Sequence, residues 1–172
     1  GTPAVVLDLD RVDANVDAIV DAIPPPLRYR IVEKSLPSLD LLAYVAARSG
    51  SERFMVLHLP FLAPLCDAFP RAEVLMGKAH VTDAVRSFFD GLPAGADREA
   101  LAGRVAWLAD GPSRLAELIA LAEALGLSLR VAIEIDVGLH RSGLREPASL
   151  APMLEAIDAT AAVELDRLEH RR

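Results

Sequence analysis

The sequence predicts an α/β fold, a parallel sheet in which each strand is followed by a helix. Three observations predict it. Short apolar runs alternate along the chain with longer stretches whose apolar residues recur at helical spacing. Apolar residues make up 52% of the chain and aromatics only 5%, so the core has to be aliphatic, which suits helices packed on a parallel sheet. The strand-like runs recur every ~20 to 30 residues, the period of a strand–helix unit with a right-handed crossover.

The elements follow in order. Residues 4–9, AVVLDL, read as a short strand, and a helix follows from about Val12 to Ile23, ended by Pro24, Pro25 and Pro26. Residues 28–34, RYRIVEK, read as the next strand. Ser38 is placed to cap the helix LDLLAYVAARS, which Gly50 ends. Residues 54–59, FMVLHL, are a strand, and Pro60 opens a short helix that stops before Pro70. AEVLMG (72–77) is a strand and 81–90 a helix; LPAGADREALAG reads as a loop. VAWLAD (105–110) is a strand. Pro112 sits in the first turn of a helix reaching Gly126, with Leu115, Leu118, Ile119 and Ala122 on one stripe. SLRVAIEIDVG (128–138) is a strand, 148–158 a helix, and AAVEL (161–165) a last strand. The charged end DRLEHRR has no core pattern and reads as an exposed terminus.

A complete eight-stranded barrel takes at least about 200 residues, and this chain has 172. The expectation is therefore roughly the first five to six units of a (β/α)8 TIM-type barrel, or an open doubly wound sheet. The net charge is −7 and the isoelectric point about 5.1, with no basic stripe, so nucleic acid is not an expected partner. No apolar run reaches the ~20 residues of a membrane span, and no charged-then-apolar leader opens the chain, so no membrane partner is expected and a cytoplasmic protein is. The single cysteine, Cys66, excludes an internal disulfide, which agrees with a reducing compartment. In PFLAPLCDAF it reads as a small buried hydrophobe rather than a reactive thiol. Sixteen of the 18 basic residues are arginine, and the only lysines are Lys34 and Lys78. That hints at a need for an amine at those places, although genome composition explains the arginine excess equally well.

Functional residues in parallel barrels gather at the C-terminal ends of the strands. Lys34, His58, Lys78, Asp110, Asp136, His140 and Arg141 stand there. Alternation along a strand puts Val131, Ile133, Ile135 and Val137 toward the helices and Ala132, Glu134 and Asp136 toward the lumen. In the same way Tyr29 and Ile31 face out, and Arg28, Arg30, Val32 and Lys34 face in. Two carboxylates and an arginine in one lumen are costly unless paired, so Arg30 is expected to pair with Glu134 or Asp136. A structural ion network without catalytic work is an equal reading of those residues.

The same residues resemble a known family. TPAVVLDLDRVDANV resembles the opening of fold-type III pyridoxal-phosphate (PLP) enzymes, through Thr2, Pro3, Asp10 and Asn15. RYRIVEKS resembles their strand that bears the Schiff-base lysine, with an arginine four residues before it, here Arg30 and Lys34. VAIEIDVGLHRSGL resembles the D-x-G-x-x-R-x-G segment of D-threonine aldolases and D-serine dehydratases, through Asp136, Gly138, Arg141 and Gly143. The resemblance implies an alanine racemase N-terminal-like barrel. Residues 1–172 are then an incomplete PLP-binding domain without the C-terminal β domain.

It further implies PLP bound through a Schiff base on Lys34, with Arg141 approaching the cofactor ring oxygen and Arg30, Asp136 and His58 among the cofactor-binding residues. For His58 the first reading is a satisfied polar residue that ends a strand, and a place near PLP is the second. A Schiff-base amine has to be unprotonated, so Lys34 is expected in a pocket that favours the neutral form. Lys78 is the competing cofactor lysine. The substrate class implied is a D-amino acid and the reaction a lyase, either retro-aldol cleavage or elimination of water. Racemisation is the alternative, needing a second base where the chain offers only Tyr29 and Tyr44. A non-catalytic PLP carrier and an inactive fragment are further alternatives. The histidines that those lyases carry two positions either side of the lysine are here Val32 and Leu36. Their divalent metal is possible for the family, but its ligands lie late in such chains and no cluster of them stands here. An open barrel edge implies a homodimer or other self-association.

Overall fold

Asp8 decides how the chain begins. In this computed structural model, which describes residues 3–35 and 37–166, the Asp8 carboxylate accepts from the Arg11 backbone N–H at 3.2 Å and caps helix α1, Leu9–Asp21. The expected strand at 4–9 therefore does not form. Leu9 already belongs to the helix, and Val5 and Val6 lie 77% and 89% exposed, outside any described strand pairing. Local capping chemistry overrides an apolar run that has no pairing strand among the described residues. Thr2 and Leu36, and the terminal run from Arg167 on, lie outside the described residues.

From there the alternation holds. Strand β1 is Ile31–Glu33, shorter than expected, followed by helix α2, Leu39–Ser49, capped by Ser38 through its hydroxyl and the Leu41 N–H at 3.3 Å. Strand β2 is Arg53–Val56; a 3₁₀ turn at Leu59–Phe61 leads into α3, Leu62–Ala68. Strand β3 is Glu73–Met76 and α4 Thr82–Asp90. The segment expected as a loop contains a short helix, α5, Arg98–Ala102, because Asp97 accepts from the Ala100 N–H at 2.9 Å and starts a turn. Strand β4 is Val105–Ala109, α6 Pro112–Leu125, β5 Leu129–Ile133, α7 Leu150–Asp158 and β6 Val163–Leu165.

The six strands pair in the order β1-β2-β3-β4-β5-β6, all parallel. A doubly wound sheet reverses its strand order at a switch point; this one never does. Right-handed crossovers that always step the same way leave their helices on one face of the sheet, and the result is an arc of a (β/α)8 barrel open between β1 and β6.

Burial shows the two faces. Toward the helices stand Phe54, Val56, Val74, Met76, Val105, Trp107, Leu129 and Val131, each 0–1% exposed. On the other face Val32 is 51% exposed, and Met55, Leu75, Leu108 and Ala132 are half-buried. Trp107 centres the helix-facing layer, with the rings of Phe88 and Phe89 of α4 at 6.0 and 6.2 Å between centroids. Cys66 is buried there too, and burial pushes its thiol up to about 11, so it behaves as a hydrophobe. Truncating so central a ring removes both transfer energy and packing. Trp107→Ala is expected to destabilise the chain by about 3–5 kcal/mol, read as a lowered midpoint in urea denaturation followed by circular dichroism.

Candidate functional site

The parallel register defines a rim. Glu33, Val56 and Met76 are partners across β1, β2 and β3, so Lys34, Leu57 and Gly77 stand at one level just past the strand ends. Alternation that buries Ile31 and Glu33 against the helices places Val32, and Lys34 one step on, on the opposite face. Lys34 is exposed rather than enclosed by the described residues, because β1 is an edge strand with one neighbour. Beneath this level the inner face is apolar. A Cβ on Gly77 would meet Met55 Cγ at 2.8 Å and Sδ at 2.9 Å, so the Met55 side chain occupies the space that a larger residue would need.

The segment after β5 folds into a tight loop rather than continuing as a strand. The Asp136 carboxylate, its side chain 1% exposed, accepts from the Gly138 N–H at 3.0 Å and the His140 N–H at 2.9 Å. The imidazole Nδ1 of His140 lies at 2.9 Å and Arg145 Nε at 3.3 Å. These donors, the two backbone amides first, hold the Asp136 carboxyl below the usual carboxylate range. The chain must turn left-handed to close the loop, with φ of 127° at Gly138, 54° at His140 and 91° at Gly143. Gly143 also lies where a Cβ would be 2.9 Å from Glu134 Cγ and 3.0 Å from backbone atoms. Glu134 accepts from the Ser142 hydroxyl at 2.8 Å, and its carbonyl accepts from the Leu144 N–H at 2.9 Å. Arg141 stands exposed at the loop tip, with no hydrogen bond or ion pair among the described residues.

Arg30 lies elsewhere. The expected pairing with Glu134 or Asp136 does not occur: Arg30 Nη1 donates to the carbonyls of Phe54 at 3.0 Å and Glu73 at 3.3 Å. The reason is polarity of the sheet. Arg30 precedes β1, whereas Glu134 and Asp136 follow β5, so they stand at opposite ends of parallel strands. Arg53 with Glu73 (2.6 Å) and Arg130 with Asp166 complete a charged lower layer. A cavity of about 370 Å³ between α1, α2 and β2, lined by Val20, Ile23, Leu27, Tyr29 and Ser49, belongs to that N-terminal end and not to the rim.

His58 stands at the rim past β2, exposed, with its ring edge-on to Phe61 at 4.9 Å. His80, which sequence reasoning passed over, follows β3. Its ring lies 6.4 Å from Trp107, its Nε2 is buried without a partner among the described residues, and burial first, then Lys78 and His58, depress its basicity. Glu33 was missed as well. It is 3% exposed on the helix-facing side of β1, and one carboxyl oxygen has no partner among the described residues. The alternation that placed Ile31 outward also placed Glu33 there, and that was the available signal. Among the described residues no group of three or more His, Cys, Asp and Glu side chains is placed to hold a metal ion.

The depressed Asp136 titration has a measurable consequence. With its folded pKa below the unfolded value, its contribution to loop order is complete above the ordinary carboxylate range and is lost as pH falls through the folded pKa. Amide exchange of the 136–145 loop is expected to lose protection in that acid window, and Asp136→Asn is expected to weaken protection at neutral pH and abolish the acid step.

Residues 7–168 match the protein family described as alanine racemase, N-terminal domain. No curated protein matches the chain. Among solved structures, an alanine racemase from Bacillus anthracis with bound L-Ala-P is 22% identical with a TM-score of 0.66, over 92% of this chain and 38% of that one. A histidine racemase from Leuconostoc mesenteroides is 16% identical with a TM-score of 0.69, over 90% of this chain and 39% of that one. PipY from Synechococcus elongatus, with PLP bound, is 14% identical with a TM-score of 0.65, over 91% of this chain and 68% of that one. The chain thus spans about two fifths of the length of these racemases. At such identities the likeness speaks to the fold.

Proposed function

Because the chain belongs to the alanine racemase N-terminal domain family, we propose that it is the cofactor-binding part of a PLP-dependent enzyme acting on D-amino acids, with the Lys34 amine as the point of attachment. The observation that carries this reading is the shared rim. Lys34 ends β1 and Arg141 tops the loop after β5, both at the C-terminal side of one parallel sheet where barrel chemistry collects.

The residues fit the group. An exposed primary amine is accessible to an aldehyde, and a guanidinium with no other partner among the described residues is available for an anionic ring oxygen. PLP, when bound, supplies the electron sink for negative charge developing beside the substrate's amino group. Lys34 would contribute the nitrogen that holds the group and a base able to take or return a proton on its own side. Arg141 contributes fixed positive charge. Asp136 does not touch the reacting atoms; it holds the turn that aims Arg141. Met55 and Leu57 add apolar surface to this side of the sheet beside Gly77.

The order Asp136, Gly138, Arg141, Gly143 favours a lyase of the D-threonine aldolase or D-serine dehydratase kind. Amino-acid racemisation is the second reading, supported by the racemases among the similar structures. It needs a base on the opposite face. Tyr29 packs against the core and Tyr44 donates to Asp13 at 2.7 Å between α2 and α1, so a racemase would draw that base from elsewhere in its assembly. A homodimer belongs to the same reading, with β1 and β6, the outer strands of the described sheet, as its contact.

Addition of PLP is expected to produce an imine absorbance band that borohydride fixes, with the reduced adduct mapped to Lys34 and absent in Lys34→Ala. Arg141→Ala is expected to weaken PLP affinity by about ten- to a hundredfold, the loss of one charge-assisted bond. An adduct on Lys78 would overturn the assignment. With D-threonine and D-serine, aldehyde or keto-acid release supports the lyase, and loss of optical activity alone supports the racemase.

A further inference from the structure

The strand that ends at Lys34 carries a group that the proposed function does not use. Glu33, the residue before it, is the one charged-type residue buried as a whole among the described residues, at 3% exposure, and unlike the Asp136 carboxylate it has no donor there for its buried Oε2. A carboxylate in such a slot costs far more than a carboxylic acid.

Among the described residues the surroundings supply no counter-charge. From α2, the residues buried toward the sheet are Leu42 and Ala46. Of the ionisable groups on that helix, Asp40 is exposed at the first turn, while Tyr44 and Arg48 turn to Asp13 and Asp17 of α1. From β2, Phe54 and Val56 share the buried face, Arg53 pairs with Glu73, and His58 leans edge-on against Phe61. Lys34 stands on the opposite face of the strand. Burial alone moves the Glu33 carboxyl, upward from its ordinary value, and no neighbouring charge offsets it.

Position makes this consequential. Strand β1 has three residues and, among the described residues, one neighbouring strand. Strands β2 to β5 are held on both sides. When a charge forms in the slot, the least costly relief is to let the edge strand peel rather than to open the centre of the sheet.

We propose that Glu33 is a proton-operated latch on the strand that carries Lys34: as the neutral acid it keeps β1 docked on α2, and as the carboxylate it releases the end of β1 and with it the lysine. Because the folded state favours the protonated form, the docked strand is fully stable below the ordinary carboxylate range and loses stability as pH rises through the raised pKa. The latch itself stands on Glu33; its bearing on cofactor retention rests on the reading of Lys34 given above.

Hydrogen–deuterium exchange of the full chain without PLP tests it, from about pH 4 to about pH 9, the range that buried glutamates reach, with rates corrected for the intrinsic effect of pH. Protection of a peptide spanning 31–35 is expected to fall at least about tenfold, one pKa unit of linkage, while a peptide spanning 105–109 stays constant. Glu33→Gln, and Glu33→Met should Gln disturb folding, are expected to hold 31–35 at its low-pH protection throughout. A flat wild-type profile overturns the latch, and so does the same pH dependence in both variants. If the exchange result holds but PLP forms its reduced adduct elsewhere than Lys34, the latch stands and the cofactor assignment falls.

Discussion

Burial of one face of the parallel sheet under its crossover helices is the constraint on which the rest depends. Phe54, Val74, Trp107 and Leu129 sit at almost complete burial on that face, and each pins its strand at a fixed height against the helices. The strands' register follows, and with it the common level at which they end. The rim where Lys34, His58, Lys78 and Arg141 stand is therefore a product of aliphatic packing several ångströms away. The opposite face is not closed by the described residues, which is why Val32 and Lys34 are exposed.

Within that frame the loop after β5 is the most locally determined part of the site. Asp136 gathers backbone and side-chain donors from residues within nine positions of itself; the positive φ at Gly138 and Gly143 suits glycine, and at Gly143 there is also no room for a side chain. Arg141 is held out by a scaffold that depends little on the remainder of the barrel. Lys34 is the contrary case. Its strand is short, at the edge, and shares its length with a buried carboxyl. The two ends of the proposed cofactor site thus differ in how firmly they are held.

Much of this was legible in the sequence. The period of strand and helix was visible because parallel strands buried on one face keep continuous apolar runs, and because Ser38, Pro112 and Gly126 punctuate the helices. The run at 4–9 misled for a physical reason: apolar composition marks a strand only where a neighbour exists, and the cap at Asp8 needed none. The segment at 128–138 read too long because its alternation persists into residues whose backbone the Asp136 turn has already diverted. Arg30 was grouped with Glu134 and Asp136 by facing alone, with no account of height along the strand. Glu33 is assigned to the helix layer by the same two-residue period that places Ile31 there, but nothing in its sequence context marks a carboxyl as buried.

The unbroken order of the sheet has a consequence for how the chain acquires its structure. Each strand's partner is the next one in sequence, and β1 needs only β2, β2 only β3, and so on to β6. Contacts among these six strands therefore do not wait for a distant segment, and for them the sequence separation that slows parallel pairing is held to a single strand–helix unit. A chain emerging from the ribosome can add these units one by one, each laid against a surface that is already in place.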